Sequence, residues 1–466
     1  MSSDRQFAGL LAAAAMGVYL LVAVGATTAI TDAAAACSGW PACGGGLALP
    51  TSADGWFAMG HRIGALGAGL LLIAATVVAW RREESRRVKG ALLFALALFP
   101  LQSGVGAVIA TTAVTPTANV STIHLALGVA IFGGVLAALA WALEDATGDP
   151  DDEPTDPLDD ELPPIDDAPS AAMPEPGWPR TKAKLQAYAR LTKPRLMWLL
   201  CLVASAAMAL AGGENFTVPV VAKTLVAGAL SIGASGTFNH VLERDVDRRM
   251  QRTSDRPLAV DLVPVRNAVA FGLTLAAISV GLFASINLLA GVLGLTAIAF
   301  YSVVYTLILK PNTVQNTVIG GAAGALPALI GWAAVTGEIG WGGLGLATIV
   351  FLWTPAHFYN LALAYKDDYA AGGFPMMPVV RGETTTRRHI LWYLGATLAA
   401  TAALALMVRL DWLFVAFGVA LAALFLWTVV RLHFERTEAA AFRAFHASNA
   451  YLGGVLLAVV LDTLAL

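Results

Sequence analysis

The chain has 466 residues, of which 57% are hydrophobic and 13% charged, and its formal net charge is −3. This composition excludes an ordinary soluble domain and predicts a stack of membrane-spanning helices, each about 20 apolar residues long. The segregated charges do not support a nucleic-acid partner, and three cysteines exclude a disulfide framework or a cysteine-rich zinc site.

Apolar runs along the chain predict thirteen spans, and therefore an all-α polytopic membrane protein. The first run is too long for a signal peptide, so we expect it to form a retained helix. The predicted spans are 7–30, 57–80, 89–112, 121–143, 196–212, 219–238, 265–284, 287–308, 314–335, 341–363, 389–408, 412–431 and 445–465. Lys and Arg concentrate in alternate loops, which predicts a multi-pass protein of the cell membrane with a cytoplasmic N-terminus and an extracytoplasmic C-terminus.

Two histidines mark the first four spans. His61 in MGHRIGALG and His124 in STIHLALG lie near the starts of the second and fourth spans, at a similar depth. Two imidazoles on neighbouring helices could ligate one haem iron from opposite faces. The alternative is a pair of buried structural histidines.

These motifs, with the loop TAITDAAAACSGWPACGG and the run LQSGVGAVIATT, resemble one four-helix half of haem A synthase. The resemblance implies a haem-binding pair, His61 and His124, and an outer-loop cysteine pair, Cys37 and Cys43, where a disulfide can persist. The sequence departs from that family at Ala58, where an acidic residue is usual, and the second half of the enzyme is absent. We therefore expect haem binding or hand-over, or a scaffold, rather than an independent hydroxylase.

After the fourth span the chain becomes acidic and rich in proline. Residues 149–167 carry ten acids and no Lys or Arg, a composition that cannot bury enough surface to fold. We therefore expect a disordered linker over 146–179. It joins a four-helix bundle, 1–145, to a nine-helix bundle, 180–466.

The charged stretch FNHVLERDVDRRMQRTSDRPL follows the sixth span. Asn239, Glu243 and Asp247 are spaced by four, so on a helix that continues from this span they share one face. Carboxylates mixed with many arginines suit an anionic ligand that arrives with Mg²⁺, because the acids hold the metal and guanidinium groups take the remaining charge. The alternative is an ordinary positive-inside loop whose acids balance its arginines.

A second acidic loop, AYKDDYAAGGFPMMPVVRG, follows the tenth span and places Asp367 and Asp368 on the same predicted side of the membrane. Within the nine-helix bundle, the two loops follow the second and the sixth helix. This regular placement predicts two facing carboxylate sets that together hold Mg²⁺ and a diphosphate.

These loops, with LTKPR, YTLILKPNTVQNTVIGGAAGALPALIGW and WTPAHFYNLALAYKDDY, resemble the intramembrane prenyltransferases, and specifically the protohaem IX farnesyltransferases or haem O synthases, over nearly all of 188–466. The resemblance implies transfer of the farnesyl group of farnesyl diphosphate to a vinyl group of protohaem IX (haem B), which gives haem O. Glu243 stands where that family usually has Asp, so its carboxylate lies one methylene further out. The expected metal and catalytic residues are Asn239, Glu243, Asp247, Asp367 and Asp368.

Basic residues and histidines of the same motifs complete the predicted site. The candidates for diphosphate contact are Arg248, Arg252, Arg256, Lys193 and Lys310. For each of them, a purely topological role at the membrane surface is the alternative. His240 and His357 are candidates for contact with the acceptor or for proton handling, and interfacial hydrogen bonding is their alternative.

Two other functions stay open at this stage. Prenyl transfer to another lipid acceptor, such as a quinone precursor or glyceryl phosphate, would need the same diphosphate loops. A transporter would need charged residues near the middle of its spans, whereas here they lie almost wholly in loops. The expected partners are farnesyl diphosphate, haem B, membrane lipid, and haem A synthase or terminal oxidase assembly proteins.

Overall fold

The structure is a computed structural model that describes residues 3–30, 37, 39–43, 49–111, 118–150, 152, 175–408, 410 and 412–465. Within these residues, thirteen helices are long and apolar enough to cross a membrane, which confirms the predicted number of spans and the all-α fold. The largest boundary difference is at the last span, which begins at Glu438 rather than 445. Ala and Glu are good helix formers, so the helix extends beyond its apolar run.

The chain forms eighteen α-helices and one π-helix within the described residues. They are α1 Ser3–Ile30, α2 Ala53–Arg81, α3 Arg86–Thr111, α4 Ala118–Thr147, α5 Trp178–Leu191, α6 Pro194–Ala211, α7 Val218–Leu242, α8 Arg244–Asp247, α9 Val265–Ala284, α10 Leu288–Ala299, the π-helix Phe300–Leu309, α11 Lys310–Asn312, α12 Asn316–Thr336, α13 Trp341–Ala364, α14 Lys366–Ala371, α15 Met377–Val380, α16 Glu383–Val408, α17 Trp412–Glu435 and α18 Glu438–Ala465.

Packing divides the chain into two compact units. The first comprises residues 1–150 and 387–458, and the second comprises residues 151–386 and 459–466. Most of α16, α17 and α18 thus belongs to the first unit by packing, although the sequence assigned these helices to the nine-helix bundle. The predicted domain boundaries stay a prediction, and most of the predicted linker, 153–174, lies outside the described residues.

In the first unit, α1 to α4 form a closed ring, because each helix contacts the next and α4 contacts α1. Tyr19 of α1 packs on Phe132 of α4, with ring centroids 5.6 Å apart. α17 contacts α1 and α4, and Trp141 of α4 meets Trp392 of α16 edge to face. The two helices that carry His61 and His124, α2 and α4, therefore lie at opposite corners of the ring.

In the second unit, α6, α7, α9, α10 and α12 close a ring around a cavity, and α13 packs against α12 and α6. Glycines let these helices approach closely. A Cβ atom on Gly331 of α12 would clash with the backbone of Ala204 of α6, and one on Gly236 of α7 would lie 2.8 Å from the carbonyl oxygen of Leu191. Small residues therefore set the width of the ring.

One residue of the acidic stretch is not simply solvated. The Asp152 carboxylate accepts hydrogen bonds from the backbone N–H groups of Glu383, at 2.8 Å, and Thr384, at 2.6 Å. These groups begin α16 and have no partner within the helix. Burial raises the pKa of Asp152, but the backbone donors outweigh burial and hold the pKa below its usual value. Composition alone predicted a solvated linker here and missed this cap.

Asp152→Ala is expected to lower the free energy of unfolding by about 0.5–2 kcal/mol, because two helix N–H groups lose their acceptor. Since the folded-state pKa is lowered, this stabilisation is full above the unfolded pKa of about 3.9 and disappears as the pH falls through the lower folded value. Thermal unfolding of the detergent-solubilised chain at neutral and acid pH measures it. Glu175→Ala, at an exposed acid of the same region, is the control, and equal effects of both variants at neutral pH would contradict the assignment.

Candidate functional site

A cavity of about 260 Å³ lies inside the second unit, with a mostly apolar wall. Its lining runs along one face of α6 from Lys193 to Ala204, which spans roughly 16 Å at 1.5 Å per residue. Thr224 to Gly236 of α7 line the neighbouring wall. Among the described residues that line the cavity, Lys193 alone is charged. The cavity is therefore long and apolar, with a positive charge at one end.

The π-helix supplies the aromatic part of the charged end. Tyr301 and Tyr305 both line the cavity, with ring centroids 5.5 Å apart. The Thr306 hydroxyl donates to the carbonyl oxygen of Tyr301, five residues back, at 2.8 Å, as expected of the wider π-helical turn. Gly320 makes room for Tyr305, because a Cβ there would lie 2.5 Å from the ring. Sequence reasoning missed this pair, although their spacing of four in an apolar run was a signal.

Lys193 reaches the cavity through a left-handed backbone conformation, with φ +52°. Such a conformation is unfavourable for a residue with a side chain, particularly before a proline, and is found where the surroundings enforce it. Its ammonium group donates to Asn239 Oδ1 and lies 3.4 Å from the Tyr301 hydroxyl. Burial lowers the pKa of Lys193 to about 8, with a further decrease from the nearby Arg256.

Two buried ion pairs lie beyond Lys193. Glu243 Oε1 is 2.5 Å from Lys310 Nζ. Asp247 accepts from Arg256 Nη1 at 2.7 and 2.9 Å, and the same nitrogen lies 3.7 Å from Glu243 Oε2. Asn239, Glu243 and Asp247 are at most 5% exposed. Two carboxylates thus converge on one cationic nitrogen in a site that excludes most water.

The predicted continuous helix through these residues is wrong at one position. α7 ends at Leu242, and Glu243 adopts φ −97° and ψ 6° before α8 begins. The Glu243 N–H still donates to Asn239 O, and the Asp247 N–H to Glu243 O, at 2.9 and 2.7 Å. Because this i to i+4 bonding persists across the break, the three side chains remain buried on the same side.

The two acids of the cluster differ electrostatically. Burial raises the pKa of Glu243, but Lys310 and Lys193 outweigh it and lower the pKa below its usual value. For Asp247, burial is the larger effect and raises the pKa, although Arg256 opposes the increase. Lys193, Lys310 and Arg256 supply three positive charges against two carboxylates, so the fully ionised cluster favours an additional anion.

The second acidic loop contacts the first. Asp368 accepts from the backbone N–H groups of Gln251, at 2.6 Å, and Arg252, at 3.3 Å. The Arg252 guanidinium lies over the rings of Tyr365 and Tyr369, 4.8 and 5.3 Å from their centroids. Lys310 Nζ similarly lies 4.1 Å from the centroid of Phe374 in the second loop. The structure therefore brings together the two loops that the sequence singled out.

The five predicted metal ligands do not form one carboxylate cluster. Asp367 is exposed, and Asp368 binds backbone N–H groups instead. Among the described residues, no group of three or more Asp, Glu, His or Cys side chains is placed to hold a metal ion. A shared metal site for all five residues stays a prediction.

The remaining candidates have other surroundings. Arg248 donates to the carbonyl oxygen of Ala259 and pairs with Asp261 at 3.0 Å, so it fixes the shape of the first loop. His240 is buried, and its Nδ1 has no hydrogen-bond partner among the described residues. His357 stacks on Trp353, with centroids 4.2 Å apart.

In the first unit, His61 and His124 have buried Nδ1 atoms without a hydrogen-bond partner among the described residues, as does the Oε1 atom of Gln102 on α3. Two glycines leave room for the histidine rings. A Cβ atom on Gly25 would lie 3.3 Å from the His61 ring, and one on Gly106 would lie 3.2 Å from the His124 ring. Gln102 was not predicted from the sequence to belong to this site, although it lies in the motif LQSGVG.

Cys37 and Cys43, in the loop between α1 and α2, are disulfide-bonded in the structure. Arg62, next to His61, donates to the carbonyl oxygens of Gly39, at 2.7 Å, and Cys37, at 2.8 Å. The loop is therefore fixed to the start of α2, beside the histidine.

Residues 198–452, more than half of the chain, match the family model described as the UbiA prenyltransferase family. A protein named protoheme IX farnesyltransferase from Haloarcula marismortui is 60% identical over 467 residues, which covers 100% of both chains. Protoheme IX farnesyltransferase 1 of Natronomonas pharaonis is 61% identical and covers 98% of this chain and 99% of its own. This chain belongs to the protohaem IX farnesyltransferases of the UbiA family.

The UbiA match includes parts of both compact units, because residues 387–452 belong to the first unit. A solved structure of digeranylgeranylglyceryl phosphate synthase, at 15% identity, matches with a TM-score of 0.51 over 61% of this chain and 99% of that one. This likeness shows a shared fold. Residues 8–162 match the model of a cytochrome oxidase assembly protein, COX15-CtaA, so farnesyltransferase motifs are here joined to a second family's sequence.

The Glu243–Lys310 pair gives a stability test. Lys310→Met leaves a carboxylate buried without its nearest counter-ion and is expected to lower the free energy of unfolding by up to about 3–5 kcal/mol. Adding Glu243→Gln removes that charge and should restore most of the loss. Thermal unfolding of both single variants and the double variant gives the coupling energy. A double variant no more stable than Lys310→Met would show that the two side chains are not coupled.

Proposed function

We propose that this chain transfers the farnesyl group of farnesyl diphosphate to a vinyl group of protohaem IX within the cell membrane, giving haem O and diphosphate. The observation that supports it best is the buried charged cluster at one end of a long apolar cavity. A prenyl diphosphate has the same division, with an apolar chain and a strongly anionic head. The full-length relatives that carry the protohaem IX farnesyltransferase name support haem as the acceptor.

We assign Mg²⁺ binding to Asn239, Glu243 and Asp247, with Asp367 and Asp368 as the second predicted set. The donors fit a hard divalent cation, because all are oxygen atoms and two carboxylates already converge on the single Arg256 nitrogen. When bound, the metal would neutralise charge on the diphosphate. The longer Glu243 side chain reaches Lys310, 2.5 Å from its Nζ atom.

The basic residues stabilise the leaving group. Lys193, Lys310 and Arg256 neutralise negative charge as the bond between the allylic carbon and the diphosphate oxygen breaks. Arg252, whose guanidinium lies over two tyrosine rings, adjoins them. Arg248 holds the loop rather than the ligand. Since the cluster is buried, these charges act with little screening by water.

The aromatic wall formed by Tyr301 and Tyr305 suits the allylic cation that forms when the diphosphate leaves. Tyr301 and Tyr305 present π-electron density where the allylic cation forms. The terminal carbon of the haem vinyl group then bonds to this allylic carbon, and the positive charge moves to the carbon next to the porphyrin. Water adds there and loses a proton, which leaves a hydroxyethylfarnesyl group. His240 and His357 remain our candidates for contact with the acceptor or its proton.

The alternatives place different demands on the site. Transfer to a quinone precursor or to a glyceryl phosphate would use the same charged cluster and differ only in the acceptor. A transporter would move the substrate without releasing diphosphate. We further propose a cytoplasmic N-terminus, from the distribution of Lys and Arg, and haem A synthase or terminal oxidase assembly proteins as partners.

Asp247→Asn is expected to reduce formation of farnesylated haem at least about a hundredfold, because one buried charge of the metal and diphosphate site is removed. Asp245→Asn, the same change on the same loop at a side chain that is 68% exposed, is the matched control and should retain most activity. Pigment extraction and mass spectrometry of membranes measure both. Equal activities of the two variants would contradict the site. Diphosphate release with prenylated lipid, but no prenylated haem, would favour another acceptor.

We also propose that the first four helices bind haem. The specific support is the pair His61 and His124, from opposite corners of a closed four-helix ring, each with a buried Nδ1 atom that has no hydrogen-bond partner among the described residues. Imidazole nitrogens on facing helices of a bundle are the usual ligands of a buried iron porphyrin.

His61→Ala is expected to abolish the haem absorbance associated with this module and to leave farnesyl transfer within about twofold of wild type. Optical spectra of the purified chain, titrated with haem B, report the first quantity, and product formation reports the second. His389→Ala, at a histidine outside both sites, is the control. Loss of transfer in His61→Ala would show that the two sites depend on each other.

A further inference from the structure

We infer that Phe283 closes the apolar end of the cavity and thereby limits the donor to a farnesyl chain. This inference rests on the proposed function, because it concerns the length of the group transferred. It assigns donor specificity to a residue far from the charged cluster.

The direction of the helices defines the two ends of the cavity. Lys193 and Gly236 line it next to Asn239, at the charged end. Asn239 lies near the C-terminal end of α7 and Thr224 near its N-terminal end. The two residues are 15 positions apart, or roughly 22 Å along the helix. Phe283, the penultimate residue of α9, lines the cavity together with Thr224. Phe283 therefore belongs to the end opposite the charges.

Phe283 fills space that its neighbours leave open. The side chain is 0% exposed and belongs to a buried cluster with Ala227 and Ala290. A Cβ atom on Gly294 would clash with its ring. The alanine and glycine neighbours have no side chains that could move in to replace the ring. Of the larger members of the cluster, Leu293 and Ile330, the latter already lines the cavity. Removal of the ring would consequently lengthen the cavity.

The surrounding wall is fixed by hydrogen bonds between helices. The Ser279 hydroxyl of α9 donates to the carbonyl oxygen of Ala227 of α7, at 2.7 Å. Asn287 accepts from the N–H of Ala290, which caps α10, and its amide donates to the carbonyl oxygen of Ala333 of α12, both at 2.8 Å. With four helices tied together at this end, the wall cannot easily shift to admit a longer chain.

The test is a competition between farnesyl diphosphate and geranylgeranyl diphosphate, which is one isoprene unit longer. The purified full-length chain, with haem B and Mg²⁺, receives both donors at equal concentration, and mass spectrometry gives the ratio of the two prenylated haems. Wild type should form the farnesyl product. Phe283→Ala should raise the geranylgeranyl-to-farnesyl ratio at least about tenfold, since a hydrophobic pocket discriminates by the space it offers.

Leu282→Ala is the matched control, because this side chain packs against the same cluster but is not among the residues that line the cavity. It should leave the product ratio unchanged. If Phe283→Ala is not recovered as a monodisperse protein, Phe283→Leu, which removes the ring but keeps an apolar side chain, decides with the same readout.

The experiment distinguishes a failure of the proposed function from a failure of the inference on Phe283. If wild type forms no prenylated haem from either donor, the proposed function is wrong, whatever the chain length. If wild type forms haem O but neither Phe283 variant changes the product ratio, or Leu282→Ala changes it equally, the inference on Phe283 is overturned while the proposed function stands.

Discussion

The second unit depends on keeping several charges buried at one end of an apolar cavity. Removing a carboxylate or an ammonium group from water costs several kcal/mol unless a counter-ion is close, so Glu243 and Asp247 require Lys310 and Arg256 beside them. These pairs contribute little net stability. Their value is that the charges are already desolvated and held in place, so they act strongly on an anionic ligand without first reorganising water.

Several local features of the fold exist to position this cluster. Gly236 lets the segment before α6 approach α7, and the left-handed Lys193 then directs its side chain toward Asn239. The π-helix turns Tyr301 and Tyr305 toward the cavity, while Thr306 accepts a hydrogen bond from Asn239 at 3.2 Å. Asp261 holds Arg244 and Arg248, which shapes the loop that carries Arg256. Unfavourable backbone geometry and small residues are thus concentrated around the charges.

The sequence predicted what local patterns encode. Membrane spans follow from runs of apolar residues, so their number and approximate bounds were predictable, and a spacing of four predicted that Asn239, Glu243 and Asp247 share one side. The cap from Asp152 to α16, the pairing of Arg248 with Asp261 and the π-helix were not predicted. The first two join residues that are not local neighbours and leave no periodic signal. The third, a wider helical turn within an apolar run, has no signature in the composition. The packing of α17 against α1 is likewise tertiary information.

We propose that the charged cluster holds the diphosphate of a donor whose chain fills the apolar cavity. An experimental structure of the full-length chain, bound to a non-ionising thiolo analogue of farnesyl diphosphate and a divalent cation, tests this most directly. We expect phosphate oxygens within hydrogen-bonding distance of Lys193 and Arg256, with the chain extending toward Phe283. Density for the diphosphate away from Glu243 and Asp247, or a chain that leaves the cavity empty, would contradict it.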